Sequence, residues 1–420
     1  MQETGRLEKF KNIAKNPDII WNIAGISANA LYSMLLIIFV TRINGNEQSW
    51  GFSFAFYIAS VFQTIGNYGG RIYQVSDIKK KYSDDTYVSL KVVTAAVMVG
   101  LALLFSLFNQ YSLDKLLLML ILVGYRFFED ISEACFGVLQ KNYRLDVIGK
   151  SMFFKAVASS GFFLLINYLT KNVSLASLSF VVIYAGTLIL YDWKKAIFYS
   201  KMKLVFDKRI LCLGKSSFQV FLYTFLNIFI LNITRYFVDA NINDTMRNSF
   251  TILVIPVSLM ALFAQFLIQP IVTPLVEKYT KDVKAFIKDA FMILLALLGV
   301  GILVSGVSYF IMVDLLTLVY GVPLKEYRLE SALLILAGIC SGGTTIISML
   351  MVIMRKLTGQ TIAYIVSALV SIVVSQILVK ESIALSLYAY MIGMFAQFLI
   401  FIILFVYYLK TERRQEDKEK

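Results

Sequence analysis

The chain of 420 residues contains no histidine, and Asp, Glu, Lys and Arg together make up only 16% of it. Its three cysteines, Cys135, Cys212 and Cys340, stand far apart in the sequence. A Cys/His metal site and a histidine proton relay are therefore excluded. We expect no metal and no cofactor, and cysteines that act as small apolar residues.

Low charge is accompanied by a hydrophobic content of 58%, far more than a soluble domain of this length could cover with polar surface. The apolar residues form blocks, each long enough to cross ~30 Å of hydrocarbon at ~1.5 Å per residue. The sequence thus predicts an all-α, polytopic integral membrane protein with about 12 transmembrane helices. The blocks are residues 19–40, 50–69, 88–108, 116–139, 151–169, 175–191, 211–233, 249–270, 290–312, 331–353, 361–379 and 384–409.

Most of the 40 Lys and Arg residues lie in the termini and in the connections that follow even-numbered blocks. This bias predicts that both termini are cytoplasmic. The net charge of +13 then reflects topology and attraction to anionic lipid, so we expect no nucleic-acid partner. The first block is full length with no cleavage site after it, which predicts no cleavable signal peptide. A basic connection at residues 192–209 suggests two six-helix lobes, 1–200 and 201–420.

Two Gly-Lys-Ser triplets begin at Gly149 and Gly214, but neither predicts a nucleotide site. A phosphate-binding loop also needs a glycine five residues earlier, where this chain has Arg144 and Arg209. Energy for any transport must then come from a gradient, the membrane potential or a partner.

The fourth block carries four charges, Arg126, Glu129, Asp130 and Glu133, where an isolated span would be apolar. Their spacing of three, four and seven residues from Arg126 places them on one face of a helix. Such a face is too costly to expose to lipid, so it must face the bundle interior or a wet cavity. It is either a structural salt-bridge network or a cavity wall that titrates or contacts substrate.

Three lysines within other blocks, Lys91, Lys155 and Lys215, are candidate partners for this face. Lys91 and Lys155 with Arg126 would balance its three carboxylates. The alternative for each lysine is that it extends to the cytoplasmic surface.

Other polar residues are candidate cavity groups. Arg71, Gln74 and Asp77 follow the second block at three-residue steps, and the alternative is an ordinary loop. Amides in the seventh block suit either helix–helix hydrogen bonds or sugar hydroxyls. Pro256, Pro270 and Pro274 are candidate hinges or tolerated kinks. The candidate cavity residues are Asn67, Gln74, Asp77, Gln219, Asn227, Asn232, Arg235 and Asp239.

The run FEDISEACFGVLQKNYRLDVIGKS (128–151) resembles the fourth-span signature of bacterial polysaccharide-unit flippases of the Wzx type, in the MOP superfamily that also holds MATE drug exporters. GGRIYQVSD (69–77), Arg235-Tyr236 with Asp239, and FLIQP (266–270) are similar to other motifs of that family. Asp130 is a departure, since it adds a carboxylate beside Glu129. The residues that match in order around the fourth span are Arg126, Glu129, Glu133, Gly137, Gln140, Lys141, Arg144 and Asp146.

The resemblance implies two six-helix lobes about a central cavity that opens alternately to each side of the bacterial cytoplasmic membrane. It implies a cargo of undecaprenyl-diphosphate-linked oligosaccharide units for surface polysaccharide. Arg71, Arg126, Lys155 and Lys215 would then meet the diphosphate near the cytoplasmic entrance. Glu129, Asp130 or Glu133 would couple transport to a change in protonation or ion occupancy.

Two other functions fit the sequence less well. A cation-coupled drug exporter of the same superfamily would have an acidic, aromatic cavity with few cations. A membrane polysaccharide polymerase would need a large loop with catalytic groups, and the chain has none, so we expect no enzyme. Expected partners are membrane lipids, the lipid-linked oligosaccharide, a polysaccharide polymerase and chain-length regulators.

Overall fold

Helices make up most of the chain in a computed structural model, which describes residues 17–77, 81–268, 275, 278–279, 282–354, 356–380 and 382–419. No strand occurs within those ranges. The first half contains α1 (Pro17–Asn44), α2 (Asn46–Asn67), α3 (Gly70–Ser76), α4 (Asp84–Phe108), α5 (Leu113–Lys141), α6 (Leu145–Thr170), α7 (Val173–Thr187), a π-helical turn (Leu188–Asp192) and α8 (Trp193–Tyr199). The second half contains α9 (Lys208–Asn241), α10 (Asp244–Ile268), α11 (Val283–Tyr320), a 3₁₀ turn (Lys325–Tyr327), α12 (Arg328–Ile353), α13 (Leu357–Leu378) and α14 (Ile383–Glu419).

Each of the twelve predicted apolar blocks coincides with a helical segment of membrane-spanning length, and the sixth runs continuously from α7 through the π-helical turn into α8. In the described part of the chain, nine of these segments are both long and apolar enough to cross a membrane. Of the other three, α2 and α5 are long enough but carry more polar or charged residues, and α10 (Asp244–Ile268) is an apolar helix of 25 residues. The prediction of an all-α, multi-pass membrane protein is confirmed.

The chain forms two compact units, Met1–Phe225 and Leu226–Lys420. The boundary falls within α9, whereas the sequence suggested residue 200 in the basic connection before it. The first part of α9 belongs to the N-terminal unit because Ile210 and Leu213 pack against Tyr87 and Leu90 of α4.

In the N-terminal unit, α5 is the central helix. It packs against α2, α3, α4, α7 and α8, and its buried apolar residues form a cluster with residues of α6 and the π-helical turn. This position explains how a span with four charges is accommodated, since helices rather than lipid surround it.

Helices α1 and α6 of the same unit make a close contact through two glycines, Gly25 and Gly149. A Cβ atom on Gly149 would overlap the backbone carbonyl of Trp21, and one on Gly25 would overlap Gly149 itself. Small residues allow helix backbones to approach closely in membranes. Gly149, the first residue of a Gly-Lys-Ser triplet, therefore has a packing role.

In the C-terminal unit, α12 is the central helix and packs against α10, α11 and α14. Gly338 and Gly342 lie one turn apart and face α10, where Gly342 leaves room for Ala264. Pro256 lies inside α10, which continues as a helix to Ile268. The second predicted hinge, Pro270, lies outside the described residues, as does Pro274.

Candidate functional site

The charged face of α5 begins with an ion pair between Arg126 and Glu129. Arg126 Nη1 donates to Glu129 Oε2 at 2.5 Å, and Nη2 donates to Ser60 Oγ of α2 at 3.3 Å. Gln63 Nε2, one turn further along α2, donates to the same Glu129 oxygen at 2.9 Å. The Arg126 side chain is only 9% exposed. Both charges are thus compensated inside the unit.

Two aromatic rings complete the surroundings of Arg126. Its guanidinium carbon lies 4.7 Å from the ring centre of Tyr125 and 5.2 Å from that of Phe56. A cation over an aromatic face is stabilised further where water is excluded. Arg126 is therefore firmly positioned in this conformation.

Glu133, two turns further toward the predicted cytoplasmic side, pairs with Arg71 of α3. Arg71 Nε lies 3.7 Å from Glu133 Oε2, and the two side chains are 26% and 20% exposed. Unlike Arg126, Arg71 is accessible at the surface of the unit. The structure confirms that Glu133 has a cationic partner, but the partner is Arg71 and not a lysine of another span.

Asp130 has a different environment from its two neighbouring acids. Its side chain is fully buried, and neither carboxylate oxygen has a hydrogen-bond partner among the described residues. It packs against Gly66 of α2, where a Cβ atom would overlap the carboxylate. An unpaired buried carboxylate costs several kcal/mol. Asp130 therefore has an unsatisfied capacity to bind a proton or a cation.

Lys91 lies close to these acids but forms no ion pair with them in the described part of the chain. Its ammonium donates to the backbone and side-chain oxygens of Asn67, at the end of α2. Lys91 is 3% exposed, so the expectation that it extends to the cytoplasmic surface was wrong. The candidate residue Asn67 accordingly serves as the acceptor for a buried cation.

Lys155 forms a second buried centre with Asp192, a residue that the sequence analysis assigned to the basic connection. Lys155 Nζ lies 2.5 Å from Asp192 Oδ2 and 2.7 Å from Ser132 Oγ. Ser151 Oγ donates to the other Asp192 oxygen at 2.6 Å. The side chains of Lys155 and Asp192 are 3% and 0% exposed.

This arrangement corrects two expectations about Lys155. It balances Asp192 and not the acids of α5, and it is not available at a cytoplasmic entrance, because it is buried and paired. Asp192 was missed because it follows the last apolar residue of its block. The π-helical turn that carries it inward has no clear sequence signal, although such turns are frequent at functional sites.

The other candidate residues that follow α2, Gln74 and Asp77, make one contact with α5 and several within their own connection. Gln74 is buried and donates to the Ala134 carbonyl at 3.2 Å, in space left by Gly137. Asp77 accepts hydrogen bonds from the amides of Lys81 and Tyr82 at 2.9 and 3.0 Å.

The pKa of Asp77 reflects these contacts. Burial opposes its ionisation, but the two amides and the Tyr87 hydroxyl lower the pKa of Asp77 below its ordinary value of 3.8. The geometry supports a role for Asp77 in holding the end of α3 against Lys81, Tyr82 and Tyr87.

The remaining candidates lie on α9 and the start of α10. Lys215 is exposed and Gln219 half-buried in the N-terminal unit, and Asn227 is half-buried in the C-terminal unit. Arg235 is buried, donates to Thr251 Oγ1 at 3.2 Å and lies over the Phe250 ring.

Asp239, one turn after Arg235, lies 3.9 Å from Arg247. The Asn232 amide donates to the Ile228 carbonyl of its own helix.

The described geometry can be compared with known proteins. No family model matches the chain, and no curated protein sequence matches it. Among solved structures, the lipid II flippase MurJ in an inward closed conformation is similar with a TM-score of 0.65 at 14% identity, over 92% of this chain and 87% of that one.

Two further structures give the same result. An outward-facing multidrug resistance MATE family transporter of the MOP superfamily has a TM-score of 0.61 at 12% identity, over 95% of this chain and 97% of its own. A MOP superfamily transporter from Pyrococcus furiosus has a TM-score of 0.57 at 16% identity, over 93% and 95%.

The chain has the fold of MOP superfamily transporters. At these identities the similarity establishes the fold alone. The lipid II flippase and the MATE transporter both have this fold, so the comparison does not distinguish between the two functions.

Proposed function

We propose that this protein is a flippase that moves undecaprenyl-diphosphate-linked oligosaccharide units across the bacterial cytoplasmic membrane by alternating access, for the synthesis of surface polysaccharide. The observation that supports the proposal is the position of two arginines at one inward face of α5. Arg126 lies on that face and Arg71 lies beside it, together with three carboxylates. A diphosphate is bound best by arginine, whose planar fork donates two hydrogen bonds at once.

Arg71 is the residue that we assign to first contact with the diphosphate. It is partly exposed, and its 3.7 Å contact with Glu133 is long for an ion pair, so a dianionic headgroup can replace that carboxylate. Arg126 is buried and paired, so it acts after a rearrangement that separates it from Glu129. Exposed Lys215 can add charge at the cytoplasmic side.

Asp130 is the acid that we assign to coupling. Glu129 accepts hydrogen bonds from two side chains and Glu133 pairs with Arg71, so neither needs a proton or a bound ion in this conformation. Asp130 has no such compensation, and uptake of a proton or a monovalent cation would remove the cost of its burial. Release would accompany the change of conformation.

The alternative function is a cation-coupled exporter of small molecules, which the MATE structures support as well as MurJ supports the flippase. Two arginines on the inward face favour an anionic substrate over the cationic ones that an acidic cavity suits. The polymerase alternative is not favoured by any observed site. The partners expected for a flippase, a polysaccharide polymerase and chain-length regulators, belong to this proposal.

Surface polysaccharide measured in a strain that lacks the gene, and in the same strain carrying variants, tests the proposal. Wild-type protein should restore the polymer, and Arg71→Gln should restore little of it at equal expression. Arg42→Gln is the matched control, because Arg42 is exposed at the predicted opposite side of the membrane. A normal amount of polymer with Arg71→Gln would contradict the role assigned to Arg71. A normal amount of polymer in the strain that lacks the gene would contradict the proposed function.

A further inference from the structure

A groove runs between α6 and the sixth span of the N-terminal unit, away from the charged face of α5. Its volume is about 510 Å³, within the range of roughly 300–1,000 Å³ typical of small-ligand sites. Its lining is mostly apolar and includes Phe154 of α6 with Val182 and Leu190 of the sixth span. These three side chains are more than half exposed. In a membrane-spanning chain such an apolar, open surface faces lipid.

The groove exists because two features of the sixth span leave space. Gly186 has no side chain, and a Cβ atom there would meet nothing within 4 Å. The π-helical turn that starts at Leu188 then shifts the following residues relative to a regular helix. A depression of this kind on a lipid-facing surface fits one hydrocarbon chain.

Two lysines lie beside the groove at its predicted cytoplasmic end. Lys195 Nζ lies 5.9 Å from the ring centre of Tyr191, which lines the groove. Lys150 Nζ lies 5.6 Å from the ring of Trp21, and that ring stacks on Phe154 at 6.2 Å. One cation thus lies by a ring that lines the groove, and the other lies over a ring that stacks on the lining residue Phe154.

The local charge at this end is positive. Within the described ranges Lys150 has one carboxylate partner, Asp146, at 3.8 Å, and Asp146 also pairs with Arg144 at 3.0 Å. Lys194 and Lys195 are exposed on the first turn of α8. Basic side chains next to an apolar groove at the cytoplasmic face are complementary to an anionic headgroup with its chain in the groove.

We propose that this groove binds an anionic phospholipid, phosphatidylglycerol, with one acyl chain against Gly186 and the phosphate held by Lys150 and Lys195. The site is separate from the proposed transport path and does not depend on the proposed function. Ser151 connects the two regions, since it lines the groove and donates to Asp192. Bound lipid would therefore stabilise the packing of α6 against the sixth span, which contains the buried Lys155–Asp192 contact.

Tryptophan fluorescence provides a direct test, because the chain has only three tryptophans and Trp21 stacks on a groove residue. The full-length Trp50→Phe/Trp193→Phe protein, with Trp21 alone, is reconstituted with dibrominated phosphatidylglycerol or dibrominated phosphatidylethanolamine at equal mole fractions. The first lipid should quench Trp21 more strongly. Equal quenching by the two lipids would overturn the proposal.

Charge and shape are then tested separately in the same background. Lys150→Gln/Lys195→Gln should lower the relative affinity for phosphatidylglycerol by about fivefold for each lysine. Lys201→Gln/Lys208→Gln removes the same charge from exposed cytoplasmic positions and should leave the preference unchanged. The assignment of Lys150 and Lys195 to the phosphate is contradicted if Lys150→Gln/Lys195→Gln keeps the preference for phosphatidylglycerol. It is also contradicted if Lys201→Gln/Lys208→Gln loses that preference.

Gly186→Leu adds a side chain to the groove at a position where a Cβ atom would meet nothing within 4 Å. Gly161→Leu makes the same change at an exposed position of α6 where a Cβ atom would also meet nothing within 4 Å. Only Gly186→Leu should reduce quenching by the phosphatidylglycerol. Equal effects of the two variants would overturn the placement of the lipid acyl chain against Gly186. Displacement of the brominated lipid by equimolar undecaprenyl phosphate would show that the occupant is a polyprenyl lipid, which also contradicts the proposal.

Discussion

Glu129 and Asp130 are consecutive in α5, yet the described residues give Glu129 two hydrogen-bond donors, Arg126 and Gln63, and give Asp130 none. Helical geometry turns adjacent side chains about 100° apart, so the two acids face different neighbours. Glu129 meets Gln63 of α2, and Asp130 meets Gly66, beside which the sulfur of Met98 also lies. One step along the helix thus separates a compensated charge from an uncompensated one.

Asp130→Asn should abolish coupled transport while leaving the protein folded. Asparagine keeps the shape of the side chain but cannot exchange a proton, and the Asp130 oxygens have no hydrogen bond to lose among the described residues. Transport driven by an imposed ion gradient in proteoliposomes should fall by about tenfold, within the roughly 5–150-fold range of typical coupling between two sites.

Asp114→Asn on the same helix is the control, since Asp114 is exposed near the other end of α5. Wild-type transport by Asp130→Asn, at an unchanged melting temperature, would show that Asp130 has no coupling role.

Lys155→Met should destabilise the N-terminal unit strongly. Removal of one partner from a buried ion pair leaves the Asp192 charge uncompensated, at a cost of about 3–5 kcal/mol. The double variant Lys155→Met/Asp192→Leu removes both charges and should recover most of the loss. Melting temperatures of the purified variants in detergent measure both effects.

The exposed pair Asp207–Arg209 serves as the comparison, with the two groups 2.6 Å apart at the surface. Asp207→Asn should leave the melting temperature unchanged, because solvent screens exposed pairs. If Lys155→Met is as mild as this control, the buried pair makes no net contribution to stability.

Gly149→Ala should reduce the yield of folded protein. Its new Cβ atom would overlap the Trp21 backbone, so α1 and α6 would have to separate. Gly161→Ala, on the open side of α6, should be neutral or stabilising by roughly 0.5–1 kcal/mol. Size-exclusion chromatography of the two variants compares them, and equal monodisperse yields would contradict the close contact.

Asp77→Asn should lower the melting temperature at neutral pH. The pKa of Asp77 is lower in the folded protein than its ordinary value of 3.8, so the ionised side chain stabilises the fold above that value. This contribution is lost as the pH falls through the folded-state pKa. The difference between wild type and Asp77→Asn should therefore be constant near neutrality and shrink below pH 3.8. A difference that does not change with acidification would exclude the linkage.

The sequence predicted the helices well because twelve long apolar blocks leave few other structures possible in a membrane. It also predicted correctly that the charged face of α5 lies inside, since lipid cannot accommodate it. Partner assignments were less successful. Lys155 pairs with Asp192, 37 positions away, and Lys91 bonds to Asn67.

These pairings depend on the rotation of each helix about its axis and on the π-helical turn. The spacing of residues within one helix predicts neither the rotation nor the turn. The roles proposed for Arg235, Asp239 and the α9 amides remain predictions, as does the division into lobes of six spans. Resemblance in short motifs suggested the superfamily whose fold the chain has. The substrate that the same resemblance suggested stays a prediction.

The central claim is best tested by measuring translocation directly. Purified protein is placed in liposomes that contain a fluorescent undecaprenyl-diphosphate-linked oligosaccharide, and an external glycosidase reports how much of the lipid reaches the outer leaflet. We predict that wild-type protein makes the glycolipid of the inner leaflet accessible to the glycosidase and that Arg71→Gln does not. We also predict that the wild-type protein in the same liposomes does not transport ethidium. Movement of ethidium without movement of the glycolipid would contradict the account and favour the exporter.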